Sequence, residues 1–181
     1  IVDPLDGTKE FVKRNGEFTV NIALIHHGMP ILGVIYVPVK EELYFALDGL
    51  GSYKINHSSI VSNLDNLILD SNKLPFKKNR DHYVIVGSRS HMSKKTETFF
   101  KEKKDKHANV DIINVGSSLK LCMVAEGRAD AYPRYAPTME WDTAAGHAIA
   151  KMAGFSVLEY KTNKELVYNK PNLLNPWFLV A

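Results

Sequence analysis

Between Phe18 and Ile25 the chain alternates strictly, with Phe18, Val20, Ile22 and Leu24 interleaved with Thr19, Asn21 and Ala23. A period of two marks a strand with one face in a core. His26, His27, Gly28, Met29 and Pro30 then supply turn chemistry, and Ile31 to Tyr36 resumes as a β-branched run. Leu43 to Ala46 and Ser52 to Ile55 follow, separated by Asp48, Gly49 and Gly51. Consecutive short strands with Gly-containing turns predict an antiparallel meander. At 181 residues, 45% of them hydrophobic, the chain has the length of one ordinary domain or two small ones.

From about Ser62 to Arg80 the sequence is polar and irregular, and beyond it strands alternate with helices. We expect strands at Tyr83 to Gly87, Val110 to Val115 and Ala129 to Tyr132, and helices at Lys94 to Lys106 and Ser117 to Glu126. Thr143 to Ala153 carries Ala144, Ala145, Ala148, Ile149 and Met152 on one stripe, the pattern of an amphipathic helix packed on a sheet. The expected class is α/β (α+β). Residues 1–80 would form the antiparallel-sheet part with an acidic loop, and residues 81–181 a mixed α/β part.

Twenty-three basic against 20 acidic residues leave a net charge of +3, a mild bias that suits anionic small molecules and falls short of a nucleic-acid footprint. The densest basic stretch, Lys94 to His107, mixes Lys with Glu and Asp at helical spacing and reads as a solvated helix face. The single cysteine, Cys122, excludes an internal disulfide and any multi-cysteine metal site, so a reducing cytoplasm is expected. No apolar run approaches the roughly 20 residues of a spanning helix, so no transmembrane segment is expected. The chain opens on Ile1 rather than methionine, which suggests a piece of something longer.

The segment Asp3-Pro4-Leu5-Asp6-Gly7-Thr8 carries the most chemical information. Two carboxylates three positions apart can converge on a hard cation such as Mg²⁺, which takes oxygen ligands. Pro4 keeps Asp3 extended, so the loop can turn its carbonyls, that of Leu5 in particular, toward the same point. Gly7 allows close backbone approach to a ligand. Thr8 opens a helical turn, Lys9 to Lys13, whose free N–H groups suit a phosphate oxygen. The competing reading makes Asp3 and Asp6 simple turn residues. Near residue 140, Glu140-Trp141-Asp142-Thr143 sets an aspartate directly before the best helix of the chain. Asp142 is either an N-cap or a carboxylate facing a metal.

These segments, Asp3 to Thr8 and Trp141-Asp142-Thr143-Ala144-Ala145-Gly146, resemble the paired signatures of the inositol monophosphatase superfamily of metal-dependent, lithium-sensitive phosphatases. Lys9-Glu10-Phe11 is similar to the CysQ-type, 3'(2'),5'-bisphosphate nucleotidase branch. So are Gly87-Ser88-Arg89-Ser90-His91, Gly116-Ser117-Ser118-Leu119-Lys120 and Leu174-Asn175-Pro176-Trp177-Phe178-Leu179. The resemblance implies a layered αβαβα sugar-phosphatase fold and hydrolysis of the 3'-phosphate of adenosine 3',5'-bisphosphate to AMP. It extends to 3'-phosphoadenylyl sulfate in sulfur assimilation. It implies two or more Mg²⁺ ions, inhibition by lithium, and a small-molecule nucleotide bisphosphate as substrate, with no nucleic acid as partner. Asp3, Asp6, Asp142 and the Leu5 carbonyl would ligate metal, and Thr8 would orient the attacking water. Gly7 and Thr8 would meet the scissile phosphate through backbone N–H groups. His91, Ser117, Ser118, Lys120 and Arg134 would lie along the nucleotide and its second phosphate.

Each of these has a plainer alternative: Lys120 as a solvated helix residue, His91 as a turn residue, Ser117 as an N-cap. Cys122 and the serines are poor covalent nucleophiles for this chemistry, because a two-metal phosphatase needs none. The family pattern also places a metal-ligating glutamate and a water-activating aspartate N-terminal to the acidic loop. The expectation is therefore that these 181 residues alone do not turn over substrate. Two rival functions remain: an inositol or sugar monophosphatase of the same fold, and a non-catalytic metal- or nucleotide-binding module.

Overall fold

The structure, a computed structural model, describes residues 1–56, 63–87 and 93–181. The first half is an antiparallel sheet in the order of the chain: β1 (Val2–Asp6), β2 (Thr19–His26), β3 (Met29–Val37), β4 (Glu42–Leu47), β5 (Gly51–Asn56) and β6 (Asn72–Lys73). Helix α1 (Thr8–Lys13) fills the link from β1 to β2, and α2 (Leu64–Leu69) precedes β6. The second half begins with β7 (Tyr83–Gly87), crosses through α3 (Lys94–Lys106), and returns parallel as β8 (Val110–Asn114). Helix α4 (Leu119–Ala125), β9 (Tyr132–Arg134), α5 (Glu140–Met152), β10 (Val157–Glu159) and β11 (Phe178–Val180) complete it, with β11 paired between β10 and β9. No helix among the described residues is long and apolar enough to cross a membrane.

The meander is placed as its alternation predicts, and the inward face of β2 is the one that carries its small and polar residues. Thr19, Asn21 and Ala23 are buried, whereas Ile22 and Leu24 stay 44% and 54% exposed. The reason lies in what crosses the sheet. Ala23, Gly33 and Ala46 stand side by side on β2, β3 and β4, and this row of small residues admits α5 against the sheet. A Cβ added at Gly33 would lie 2.4 Å from the Ala145 carbonyl oxygen and 2.7 Å from the Ala148 Cβ. The inner face is thus selected by size and by polar function, while the larger aliphatics of β2 turn outward.

The main core joins both halves: Ile35, Val37, Tyr44 and Ala46 of the sheet pack with Ala144, Ala145 and Ile149 of α5 and with Leu121, Cys122 and Val124 of α4. At the far end of α4, Glu126 accepts from the Tyr44 hydroxyl at 2.7 Å and from Lys54 Nζ at 2.7 Å, tying that helix to β4 and β5 inside the core. The strand expected at Ala129 to Tyr132 lies slightly later, at Tyr132–Arg134. Just before it the chain still pairs with β7, the Asp130 N–H donating to the Val84 carbonyl at 2.7 Å and Ala131 bridging Ile85 in parallel, while Arg80, Lys78 and the Val84 N–H bind the Asp130 carboxylate.

A methyl at Gly33 forces α5 away from the sheet. Gly33→Ala is expected to cost about 1–3 kcal/mol of stability, the usual penalty of overpacking. A urea unfolding midpoint unchanged from the parent would contradict this close approach.

Candidate metal and substrate site

Asp3 and Asp6 are three apart, and along a regular strand such residues face opposite sides. Strand β1 escapes this through an irregularity. Asp3 pairs with Asn21 and Asp6 with Thr19, so three steps on β1 match two on β2. The extra residue is a bulge, and it turns both aspartates toward the inner face that Asn21 and Thr19 share. The packing of α5 on the row of small residues carries its first turn to the same place. Carboxylate oxygens of Asp3, Asp6 and Asp142 lie within 4.8 Å of one another. Three oxygen donors this close, without a cation among them, repel, and they are the donor set that suits a hard divalent ion. The residues present therefore fit a metal.

Each carboxylate is aimed by its neighbours. Asp6 Oδ2 accepts from the Ser118 N–H at 2.6 Å, from Asn21 Nδ2 at 3.3 Å and from Thr19 Oγ1 at 3.4 Å. Asp3 Oδ1 takes the Leu5 N–H at 3.1 Å. Asp142 is not an N-cap: α5 starts earlier than its apolar stripe suggests, with Met139 as the cap, so Asp142 sits in the first turn. There its Oδ2 reaches back to the Met139 N–H at 2.9 Å. Burial raises the pKa of all three. At Asp6 the pull of Lys120 opposes this and the charge of Asp142 adds to it.

The aspartates Asp6 and Asp142 open into a cleft of about 330 Å³ that also takes in Gly7, Thr8, Ser117, Lys120 and Arg134. Gly7 has φ of +85°, and a Cβ there would meet the Ser117 Cβ at 3.1 Å, so the acidic loop and the segment before α4 close against each other. Lys120 is no solvated helix residue: it is 7% exposed, and its Nζ donates to the Ser117 carbonyl at 2.6 Å and the Val115 carbonyl at 3.3 Å. Burial pulls its pKa down to about 8. Arg134, 8% exposed, donates through Nη2 to the Pro137 carbonyl at 2.7 Å. Its Nε and the Ser117 Oγ are buried with no partner among the described residues.

Ser117 takes a left-handed φ of +45° and precedes the cap residue Ser118, so it does not cap α4. Ser118 stands behind the site rather than on the cleft wall, its Oγ 2.8 Å from Thr19 Oγ1 and donating to Asn21 Oδ1 at 2.9 Å. Leu5 meets the cluster through its N–H bond to Asp3. His91 falls outside the described residues. Sequence reasoning missed Thr19 and Asn21, which hold Asp6. It also missed Glu10, Thr138 and Thr143, which line the cleft. The polar side chains on β2, Thr19 and Asn21, were the available signal. For Glu10 the signals were its place in the Lys9-Glu10-Phe11 motif and in the first turn of a short helix.

Residues 1–177 match the inositol monophosphatase family. The chain is 44% identical to the 3'(2'),5'-bisphosphate nucleotidase CysQ of Shigella flexneri and 43% identical to that of Escherichia coli K12. Each alignment covers 100% of this chain and 67% of the relative, so the chain spans about two thirds of their length. Among solved structures, CysQ from Bacteroides thetaiotaomicron superposes with a TM-score of 0.94 at 56% identity, over 99% of this chain and 68% of that one. Mycobacterium tuberculosis SuhB shares the fold, with a TM-score of 0.71 at 24% identity over 100% of this chain and 65% of that one. The three-carboxylate cluster, the fold around it and these matches agree: the chain belongs to the inositol monophosphatase family.

Proposed function

We propose that the chain carries the site of a phosphatase that removes the 3'-phosphate from adenosine 3',5'-bisphosphate, giving AMP, and acts on 3'-phosphoadenylyl sulfate in the same way. The observation that carries this reading is the second charge set in the cleft. A phosphomonoester needs only the carboxylate end. Here two buried cations, Lys120 and Arg134, line the same cleft, and lysine and arginine are the residues that suit a further phosphate. The CysQ relatives carry the matching activity in their names.

In this reading Asp3, Asp6, Asp142 and the Leu5 carbonyl hold Mg²⁺, the divalent ion we assign to the cluster. Such ions polarise phosphoryl oxygens and lower the pKa of a bound water. The chain's own groups do the positioning. Thr8 orients the attacking water through its hydroxyl. The backbone N–H groups of Gly7 and Thr8 receive the scissile phosphate. Ser117, Lys120 and Arg134 hold the second phosphate and fix which ester faces the carboxylates, with Ser118 holding Asp6 from behind and His91 on the nucleotide side. Catalysis is then orientation plus electrostatics, without a covalent phospho-enzyme.

The test is phosphate release by the full-length protein, with Mg²⁺, from adenosine 3',5'-bisphosphate and from inositol 1-phosphate in competition. The bisphosphate is expected to win, lithium to inhibit and chelation to abolish release. Preference for the inositol ester would defeat the nucleotide reading. Cation and nucleotide binding with no phosphate release would leave a binding module.

A further inference from the structure

We propose that Asn175, in the C-terminal segment and off the cleft wall, is a positioning residue for Asp142. Among the described residues Asp142 is aimed by one bond, from the Met139 N–H to its Oδ2 at 2.9 Å, so the direction of this carboxylate is set by how Met139 is held. Met139 is held by Asn175. The Asn175 side-chain amide donates to the Met139 carbonyl at 2.8 Å, to Thr143 Oγ1 at 2.9 Å and to Thr138 Oγ1 at 3.3 Å. These three acceptors lie just before α5 and in its first turn, on both sides of Asp142.

The backbone continues the clamp. Asn175 N–H donates to the Thr138 carbonyl at 2.8 Å, and the Glu140 N–H donates to the Leu173 carbonyl at 2.9 Å, which makes Met139 and Leu174 a bridged antiparallel pair. Upstream in the same segment, the N–H groups of Asn169 and Lys170 reach the Glu140 carboxylate at 2.6 and 3.2 Å. The start of α5 is thus fastened from 169 to 175, while the remainder of the helix is fixed by its packing on the sheet.

The orientation of the amide is dictated by chemistry. Only a donor can face the Met139 carbonyl, so Nδ2 must point there with one N–H, and its second N–H goes to Thr143 Oγ1 at 2.9 Å with Thr138 Oγ1 at 3.3 Å sharing it. Thr143 Oγ1 spends its own proton on the Glu140 carbonyl at 3.3 Å. The cost is Asn175 Oδ1, buried with no partner among the described residues. Asn175 itself is 4% exposed. A bare buried carbonyl is normally avoided, and here it is tolerated so that one amide can bind three acceptors around a metal carboxylate. Groups that orient a ligand in this way commonly change metal affinity by about 10–100-fold when removed.

The proposal rests on the metal reading of the site, and its test uses Mn²⁺ alone on the metal-free full-length protein. Mn²⁺ affinity is read by electron paramagnetic resonance, beside thermal unfolding, for Asn175→Ala, Asn175→Ser and an exposed control, Lys161→Ala. We expect Asn175→Ala to weaken Mn²⁺ binding about 10-fold while still folded at the assay temperature. Asn175→Ser, which restores one donor, should recover part of the loss, and the control none to recover. A lower melting temperature with Mn²⁺ affinity within about twofold of the parent would overturn the proposal, because a merely structural role moves only the former. If the alanine variant does not fold, the serine variant is judged by the same criterion. A parent that binds no Mn²⁺ defeats the metal reading and this proposal with it. A parent that binds Mn²⁺ but releases no phosphate defeats only the catalytic reading.

Discussion

Asp6→Asn is expected to lower phosphate release about 1,000-fold or more, and to leave the metal-free protein at least as hard to unfold as the parent. The two effects have one cause. Burial, together with the nearby charge of Asp142, raises the Asp6 pKa even though Lys120 draws it down. A carboxyl whose folded-state pKa lies above its unfolded value stabilises the fold when protonated, and that contribution is lost as pH rises through the folded value. At neutral pH the empty site therefore carries a destabilising charge. The amide of Asn removes it and can still present an oxygen to the Ser118 N–H, the bond that holds this position at 2.6 Å. What the amide cannot do is neutralise a divalent ion, whose help to the reaction amounts to several kcal/mol; at about 1.4 kcal/mol per decade that is roughly three powers of ten. Thermal unfolding without metal, from pH 7 downward, provides the check. As pH falls toward the raised pKa of Asp6, the parent should gain stability relative to the variant; the loss from buried His147, whose pKa is held down at about 3, is common to both. Adding Mg²⁺ should raise the parent's midpoint by mass action and the variant's far less. A variant that melts lower than the parent in the absence of metal would contradict the electrostatic account.

Much of this site was legible in the sequence because its residues lie in short contiguous patterns. Asp3, Asp6, Thr8, Ser117, Lys120 and Asp142 each sit within a local motif, and the structure brings Asp6, Thr8, Ser117, Lys120 and Asp142 to one cleft, with Asp3 beside Asp6 and Asp142. What could not be read were relations that need a second strand or helix. The bulge in β1 exists only against β2, so nothing in Asp3-Pro4-Leu5-Asp6 alone says that both carboxylates face inward. The burial of Thr19 and Asn21 depends on α5 lying over Ala23 and Gly33, and α5 is more than a hundred residues away. Periodicity told that β2 is a strand but not which face is inward, since the usual rule of apolar side in is reversed where a polar site and a close helix share the inner face. The start of α5 was placed late for a related reason: its first turn is polar and strapped by the C-terminal segment, so the apolar stripe begins only at Ala144.

Lys120→Met is expected to cut kcat/KM for adenosine 3',5'-bisphosphate by about 10–100-fold, leaving hydrolysis of adenosine 3'-monophosphate within about threefold of the parent. Hydrogen bonds to charged groups contribute about 1.5–3 kcal/mol, and a tenfold change corresponds to about 1.4 kcal/mol. Lys120 is well placed for such a bond because its position is prepaid: it is 7% exposed and its ammonium is held by the carbonyls of Ser117 and Val115 before any ligand arrives. Its pKa of about 8 leaves it charged at neutral pH. Methionine matches the length and fills the same space, so the packing around position 120 is kept. The substitution thus isolates the ammonium from the packing. A competing role is available, since Asp6 is the largest charge acting to keep Lys120 protonated, and Lys120 in turn draws the Asp6 pKa down. Were that its whole purpose, losing the cation would alter metal binding at the carboxylates and change both substrates by the same factor. A seat for the second phosphate makes the opposite claim: Mg²⁺ affinity nearly constant, the loss confined to the substrate that carries two phosphates, and the defect concentrated in KM. Equal losses on both nucleotides would assign Lys120 to the carboxylates and leave Arg134 as the cation for the second phosphate.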